Sequence, residues 1–442
     1  MAADPDESKH MTQTATATGS PVTETRLDRM GIPNSIKWGF LAVLIFMTGN
    51  GVESNFISPH LARAVGDENL AATVISIYGI SVLVGSYLSG ALSDLFGPKR
   101  VMLLGFLVWI VFEAAFLLSI QLDSTVLIAL SYFFRGFGFP LFAFSFLVWI
   151  NHVTPRARNA TAVGWFYVMF TGGMPTLGSL VAILAISGFG GGNGGETGAM
   201  IVSSLLVLAG FLIAWFGVRE PRGLQRLAPA GESAGTVILG GLRVMVLEPR
   251  IFAGFCVRLI NTAPQFGMFV ILPAVMVDDL GWSQNQWLLM TTIVFAGNIS
   301  FNALFGYIGD QWGWIRTVRW FGIVGSALGL LAWWYVPHMV EPGSTYGYWL
   351  TVIAGTVFGI LLAGFVPMGA VMPNLTPQHK GAAMAMYTTA AGGAAFLGSL
   401  VVAVVRPWGG DAGVVWAFVV LYGVAFALTH VLKVPQVRGE AH

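Results

Sequence analysis

Twelve stretches of about 20 mostly apolar residues, separated by short polar segments, leave this chain few ways to fold. Backbone lying in hydrocarbon has to satisfy its own hydrogen bonds, so each stretch reads as a helix. The stretches lie near residues 36–61, 71–93, 101–120, 125–150, 160–186 and 199–218, and then 251–277, 286–308, 317–336, 346–372, 382–405 and 414–432. Only 10% of the 442 residues are charged, against roughly 25% in a soluble protein. That is too few to cover a soluble surface, and 55% hydrophobic residues exclude disorder for most of the chain. The expected class is an all-α integral membrane protein with twelve transmembrane helices.

The polar remainder excludes other classes. Net charge is +1, from 22 basic and 21 acidic residues, without the basic excess of a nucleic-acid binder. The single cysteine, Cys256, permits neither an intrachain disulfide framework nor a cysteine-based zinc site. His60, His152, His338, His379 and His430 fall at span ends on both faces and form no catalytic or metal cluster. No enzyme activity, metal or cofactor is expected; the partners are the lipid bilayer and a small molecule. Residues 1–35 are polar and threonine-rich and read as a disordered cytoplasmic tail, with a second tail at 433–442. No signal peptide is visible, because the first apolar run is long enough to span and lacks a cleavage-like end.

Orientation follows from lysine and arginine. With both termini inside, the inner segments hold 18 of the 22 basic residues, including Lys99, Arg100, Arg156, Arg158, Arg316 and Arg319. The outer loops hold only Arg63 and Arg406. The glycine-rich stretch Gly188–Gly198 falls outside; without Gly-Lys-Ser/Thr it reads as a flexible connector rather than a phosphate loop.

The chain repeats itself. Gly90-Ala-Leu92-Ser-Asp94-Leu-Phe-Gly97-Pro-Lys99-Arg100 returns as Gly306-Tyr-Ile-Gly-Asp310-Gln-Trp-Gly313-Trp-Ile-Arg316 at a constant offset of 216. Gly172-Gly173 through Gly178-Ser-Leu-Val181 returns as Gly392-Gly393 through Gly398-Ser-Leu-Val401. Thr154-Pro155 and Thr376-Pro377 precede these two spans. The chain therefore divides into six-helix bundles over residues 36–218 and 251–432, joined by a cytoplasmic linker at 219–250. Two related bundles suit a transporter, since rocking one against the other moves a central site between membrane faces. In the repeated loop, Gly90 and Gly97 allow close helix approach and a tight turn. Asp94 can accept from a helix N-terminus, and Lys99 and Arg100 hold the loop inside. The loop is either a conformational gate or a topology anchor, and Asp310, Gly313 and Arg316 repeat the same choice.

These residues resemble the major facilitator superfamily, over the whole region 36–432. The loop after span 2 is similar to its Gly-x-Leu-x-Asp-x-x-Gly-x-basic-basic signature, with Leu95 and Pro98 in place of the usual basic residues. Arg135-Gly-Phe-Gly138 resembles a second signature, and Gly172-Gly-Met-Pro175 loosely resembles a third, found more often in exporters. Gly49-Asn50-Gly51-Val52-Glu53-Ser54 and Arg135-Gly-Phe-Gly-Phe-Pro140 further resemble the ribitol and arabinitol permeases of that superfamily, a branch whose members have also been labelled dicarboxylate permeases. The resemblance implies a secondary active transporter with the major facilitator fold, monomeric, in a bacterial inner membrane. It implies import of a sugar alcohol such as ribitol or arabinitol in symport with protons, the proton gradient supplying the energy. Permeation of a 2-oxoglutarate-like dicarboxylate and export of small amphiphiles are the alternatives.

Ionisable groups at membrane depth cost on the order of 3 kcal/mol each, so they have partners or functions. Four are expected there: Glu53, Glu113, Arg135 and Arg258. At 1.5 Å per residue, Glu53 in span 1 and Arg135 in span 4 lie at depths agreeing to roughly 5 Å. They are read as a pair, serving either proton coupling or a permanent structural bridge. Glu113 in span 3 reads as a structural group away from the cavity, by resemblance. Arg258 either snorkels to the inner interface or shares a cavity face with Asn261 and Gln265. Asn50, Asn298 and Asn302 offer amides that both donate and accept, as a polyhydroxylated ligand needs. Trp165 and Tyr387 are candidates to pack on its CH faces, while Trp149 and Trp416 read as belt residues at span ends.

Overall fold

A computed structural model describes residues 25–436 apart from Ala230. The expected tail over residues 1–24, and the last six residues, lie outside the described residues. Among the described residues there is no strand, and ten helices are long and apolar enough to cross a membrane.

The first bundle contains α1 (Lys37–Gly51), α2 (Ile57–Val65), α3 (Glu68–Phe96) and α4 (Pro98–Gln121). It continues with α5 (Thr125–Val153), α6 (Arg156–Gly188) and α7 (Gly192–Gly217). After α8 (Ala234–Leu247), the second bundle contains α9 (Pro249–Ala274), α10 (Gln284–Trp312), α11 (Trp314–His338), α12 (Thr345–Leu375) and α13 (Lys380–Leu428).

Two differences from the expected twelve spans have local causes. Span 1 is not one helix. It narrows to a 3-10 turn at Val52–Asn55, and α2 starts after Phe56. The break sits where the Gly51 backbone packs against the Met174 backbone, so closely that a Cβ on Gly51 would lie 2.0 Å from the Met174 carbonyl oxygen. Spans 11 and 12 run together as α13, which turns sharply at Gly410 (φ 61°, ψ −170°). The linker contains a helix of its own, α8, with Ser233 capping its first turn.

Asp94 and Asp310 lie near the C-terminal ends of α3 and α10, on the face that also carries Arg156, Arg158 and both ends of the described residues, here called the basic face. Gly97 (φ 86°) and Gly313 (φ 124°) end these two helices in left-handed conformations that glycine adopts without strain. Pro98 then starts α4 with its fixed φ.

The bundles meet along two equivalent seams, α3 on α13 and α10 on α6. A Cβ on Gly90 would lie 2.4 Å from the Gly381 carbonyl oxygen, and one on Gly306 would lie 2.4 Å from that of Ala160. Backbone therefore approaches backbone at matching positions of the repeat, as small residues permit in membranes. Gly90→Leu is expected to wedge the first seam and destabilise by about 1–3 kcal/mol. Gly79→Leu, whose Cβ would meet open space, is expected to stay within about 0.5 kcal/mol. Thermal unfolding of the two variants in detergent checks the contrast; equal melting temperatures would contradict the close seam.

Candidate functional site

Where α1 gives way to its 3-10 turn, Glu53 faces Arg135 on α5. Arg135 Nη1 donates to Glu53 Oε2 at 2.7 Å, and Tyr132 Oη donates to Glu53 Oε1 at 3.2 Å. The pair expected from depth is therefore in contact. Glu113 on α4, read from the sequence as a structural group, joins the cluster, with Oε2 2.8 Å from Arg135 Nε. Arg135 and Glu113 are each 1% exposed and Glu53 5%, so water screens none of them. The Trp109 ring lies 4.7 Å from the Arg135 guanidinium and that of Tyr132 5.3 Å, which adds cation–π attraction on the faces the carboxylates leave free. Arg135 Nη2 and Glu113 Oε1 have no hydrogen-bond partner among the described residues.

Asn50 adjoins this cluster and is partly committed: its Oδ1 accepts from Trp109 Nε1 at 2.9 Å. Only its NH2 group remains, with Met174 Sδ at 3.8 Å.

A second cluster lies in the other bundle. Arg258 on α9 is 4% exposed and does not snorkel. Its guanidinium stands 4.1 Å from the Phe365 ring and 5.2 Å from the Tyr387 ring, and it donates to Thr262 Oγ1. Among the described residues no carboxylate pairs with it, and its Nε has no partner. Tyr167 Oη on α6 donates to Tyr387 Oη at 2.9 Å across the bundle interface.

Arg258, Asn261 and Gln265 lie along one face of the continuous helix α9, but their side chains engage different neighbours. Asn261 Nδ2 turns away to donate to the Gly322 carbonyl, which lies in a widened turn of α11 where carbonyls are released from the helix ladder. Asn298 Nδ2 donates to the Gly359 carbonyl at 2.8 Å, so it ties α10 to α12, and Gln265 lines a narrow recess beside it. The Asn302 amide is buried with no partner among the described residues. Trp165 Nε1 donates to the Met30 carbonyl at 2.8 Å, under the N-terminal segment on the basic face. Trp149 is corrected as a belt residue. It is fully buried, donating to Glu220 Oε2 at 2.7 Å. Trp416 stays half-exposed, bonded to Tyr335 Oη at 2.9 Å.

On the basic face the repeated loops hold the bundles together. Asp310 accepts from Thr161 N (2.8 Å), Thr161 Oγ1 (2.6 Å), Ala160 N (3.1 Å) and Trp314 Nε1 (2.7 Å). It thus caps the N-terminal end of α6, which belongs to the other bundle. Asp94 is placed equivalently at the start of α13, accepting from the Gly381 backbone N–H. Its own carbonyl accepts from Leu227 N and Ala228 N at 2.9 Å, which binds the linker to the same point. Lys99 Nζ donates to the Val218 carbonyl at 2.6 Å within its own bundle. Arg100 and Arg316 stay exposed and bond neither aspartate, so neither is part of the latch.

Tyr132, Trp109, Phe365 and Tyr167 were not among the candidates. Tyr132 precedes Arg135 by three residues and Trp109 precedes Glu113 by four, spacings that share a helix face. Tyr167 and Tyr387 share the offset of 220 that relates Gly172 to Gly392. These signals were present in the sequence.

A family profile described as Major Facilitator Superfamily matches residues 39–274 and 251–441. A D-arabinitol transporter of Klebsiella pneumoniae is 34% identical over 413 residues, which cover 92% of this chain and 94% of that protein. An alpha-ketoglutarate permease of Bacillus subtilis (strain 168) is 34% identical over 412 residues, 93% of this chain and 92% of that protein. A crystal structure of a major facilitator superfamily transporter in the outward conformation aligns with a TM-score of 0.72 at 12% identity, over 92% of this chain and 100% of that one; at that identity the likeness is one of fold.

The cluster makes a prediction about stability. Arg135→Met leaves two buried carboxylates facing each other and is expected to destabilise by about 3–5 kcal/mol. Adding Glu53→Gln and Glu113→Gln removes both charges and is expected to recover most of that loss. Chemical unfolding in detergent measures it, and a triple variant as unstable as the single one would contradict the cluster.

Proposed function

Because the chain belongs to the major facilitator superfamily, we propose that it imports a sugar alcohol such as ribitol or arabinitol in symport with protons, by alternating access. The reading places a monomer in a bacterial inner membrane with the basic face cytoplasmic, in keeping with the distribution of lysine and arginine.

One observation carries it: Arg135 is held between Glu53 and Glu113. Two carboxylates against one guanidinium leave one negative charge without a partner, and one proton makes the cluster neutral. Shifting Arg135 between the carboxylates decides which of them holds that proton. Glu53 is the mobile member of the pair, because it sits in the turn where α1 is interrupted and not inside a continuous helix. The NH2 group of Asn50 and Nη2 of Arg135 remain beside it for hydroxyl oxygens. With Asp94 and Asp310 engaged the cytoplasmic side is shut, and solute release there requires both caps to part.

A second reading, a dicarboxylate permease, is favoured by Arg258. This guanidinium is buried, boxed by aromatic rings and without a carboxylate partner among the described residues. It would suit a substrate carboxylate, as the alpha-ketoglutarate permease relative suggests.

Uptake into proteoliposomes with an imposed pH gradient, using pentitols, hexitols and 2-oxoglutarate, tests both readings. Glu53→Gln is expected to abolish gradient-driven accumulation and leave substrate exchange intact; uphill accumulation by this variant would remove Glu53 as the proton carrier. For Arg258→Gln, loss of 2-oxoglutarate uptake with pentitol uptake within about tenfold, a single hydrogen bond's worth, supports a carboxylate site. Unchanged 2-oxoglutarate uptake rules that site out.

A further inference from the structure

Tyr167 and Tyr387 occupy equivalent positions in the two repeats. The offset of 220 that aligns Gly172 with Gly392 and Gly178 with Gly398 also aligns these tyrosines. Their hydroxyls meet at 2.9 Å. A contact between equivalent groups lies on the axis relating them, as at any self-complementary interface. This hydrogen bond therefore marks the point where the two bundles touch on their pseudo-twofold axis.

Each tyrosine is six residues into its helix from a residue held by the opposite bundle, Thr161 by Asp310 and Gly381 by Asp94. Six residues span about 9 Å of helix, so the bond lies above both caps and deeper in the membrane. Both side chains are buried, and a hydroxyl left unpaired there is costly. The Phe365 ring stands edge-on to the Tyr167 ring, with centroids 5.1 Å apart at 77°. Phe365 and Tyr387 are also the two rings that Arg258 covers. One aromatic cage thus joins α6, α9, α12 and α13.

We propose that the Tyr167–Tyr387 hydrogen bond is the inner gate of the transport pathway. The inference rests on alternating access and is independent of proton coupling. Both tyrosines are positioning residues. When the hydroxyl pair parts, α6 and α13 separate toward the basic face.

The test uses the full-length protein in lipid nanodiscs, with Cys256→Ser and spin labels at Arg100→Cys and Arg316→Cys. Both sites are exposed, lie outside the latch and belong to opposite bundles. Pulsed electron–electron resonance reads the ratio of long to short separations on the basic face. Tyr167→Phe and Tyr387→Phe are each expected to raise the long-distance fraction about fivefold, as loss of one hydrogen bond implies. Adding Tyr167→Phe to Tyr387→Phe should shift it no further than Tyr387→Phe alone, because the bond they share is already gone. Unchanged distances in single variants that still take up solute would overturn the gate, and so would additive shifts in the double variant. If Glu53→Gln still accumulated solute, proton coupling would fail while these distances kept their meaning.

Discussion

Two aspartates, each bound to the first turn of a helix from the opposite bundle, fix how the halves of this protein sit together. Asp310 collects two backbone N–H groups and a hydroxyl from the start of α6, and Asp94 occupies the matching place at α13. Helix N-termini carry unsatisfied donors and partial positive charge, so a carboxylate is the group they hold best. The arrangement depends on glycines at 90 and 306, which let backbones approach closely enough for short side chains to reach across. It also depends on the turns at Gly97 and Gly313, which direct the chain away just after the contact.

The ion cluster obeys a different constraint. A guanidinium at membrane depth is tolerated because its charge is shared among two carboxylates and two aromatic faces. Arg258 has the aromatic faces without the carboxylates. The first bundle therefore carries surplus negative groups and the second an uncompensated positive one.

How much of this was legible depends on what kind of information a span carries. Apolar length and basic loops write the span count and the repeat directly into the sequence. Depth along a helix is also readable, which is why Glu53 and Arg135 could be paired in advance. Rotation about a helix is not, because a span that is apolar all round has no preferred face. Glu113 was read as a structural group by resemblance to the family, and the spacing that puts Asn261 on one face with Arg258 does not say that its amide bonds Gly322. The interruption at Val52–Asn55 was missed for a related reason: it follows from the packing of Gly51 on Met174, a contact between residues far apart in the chain. The Tyr167–Tyr387 contact is the opposite case. It follows from the repeat once spans 5 and 11 are aligned residue by residue.

The four ionisable groups at membrane depth, Glu53, Glu113, Arg135 and Arg258, sum to zero when all are charged. Because these groups return to their starting state in each cycle, only the solute and its proton carry net charge across. A neutral solute carried with one proton moves one positive charge inward per cycle, so a membrane potential of 100 mV, negative inside, adds about 2.3 kcal/mol to the driving force. A dianion carried with the same single proton moves one negative charge inward, and the potential opposes it by the same amount. The direction of current across a protein-loaded membrane thus reports the charge of the solute that fits between the two clusters.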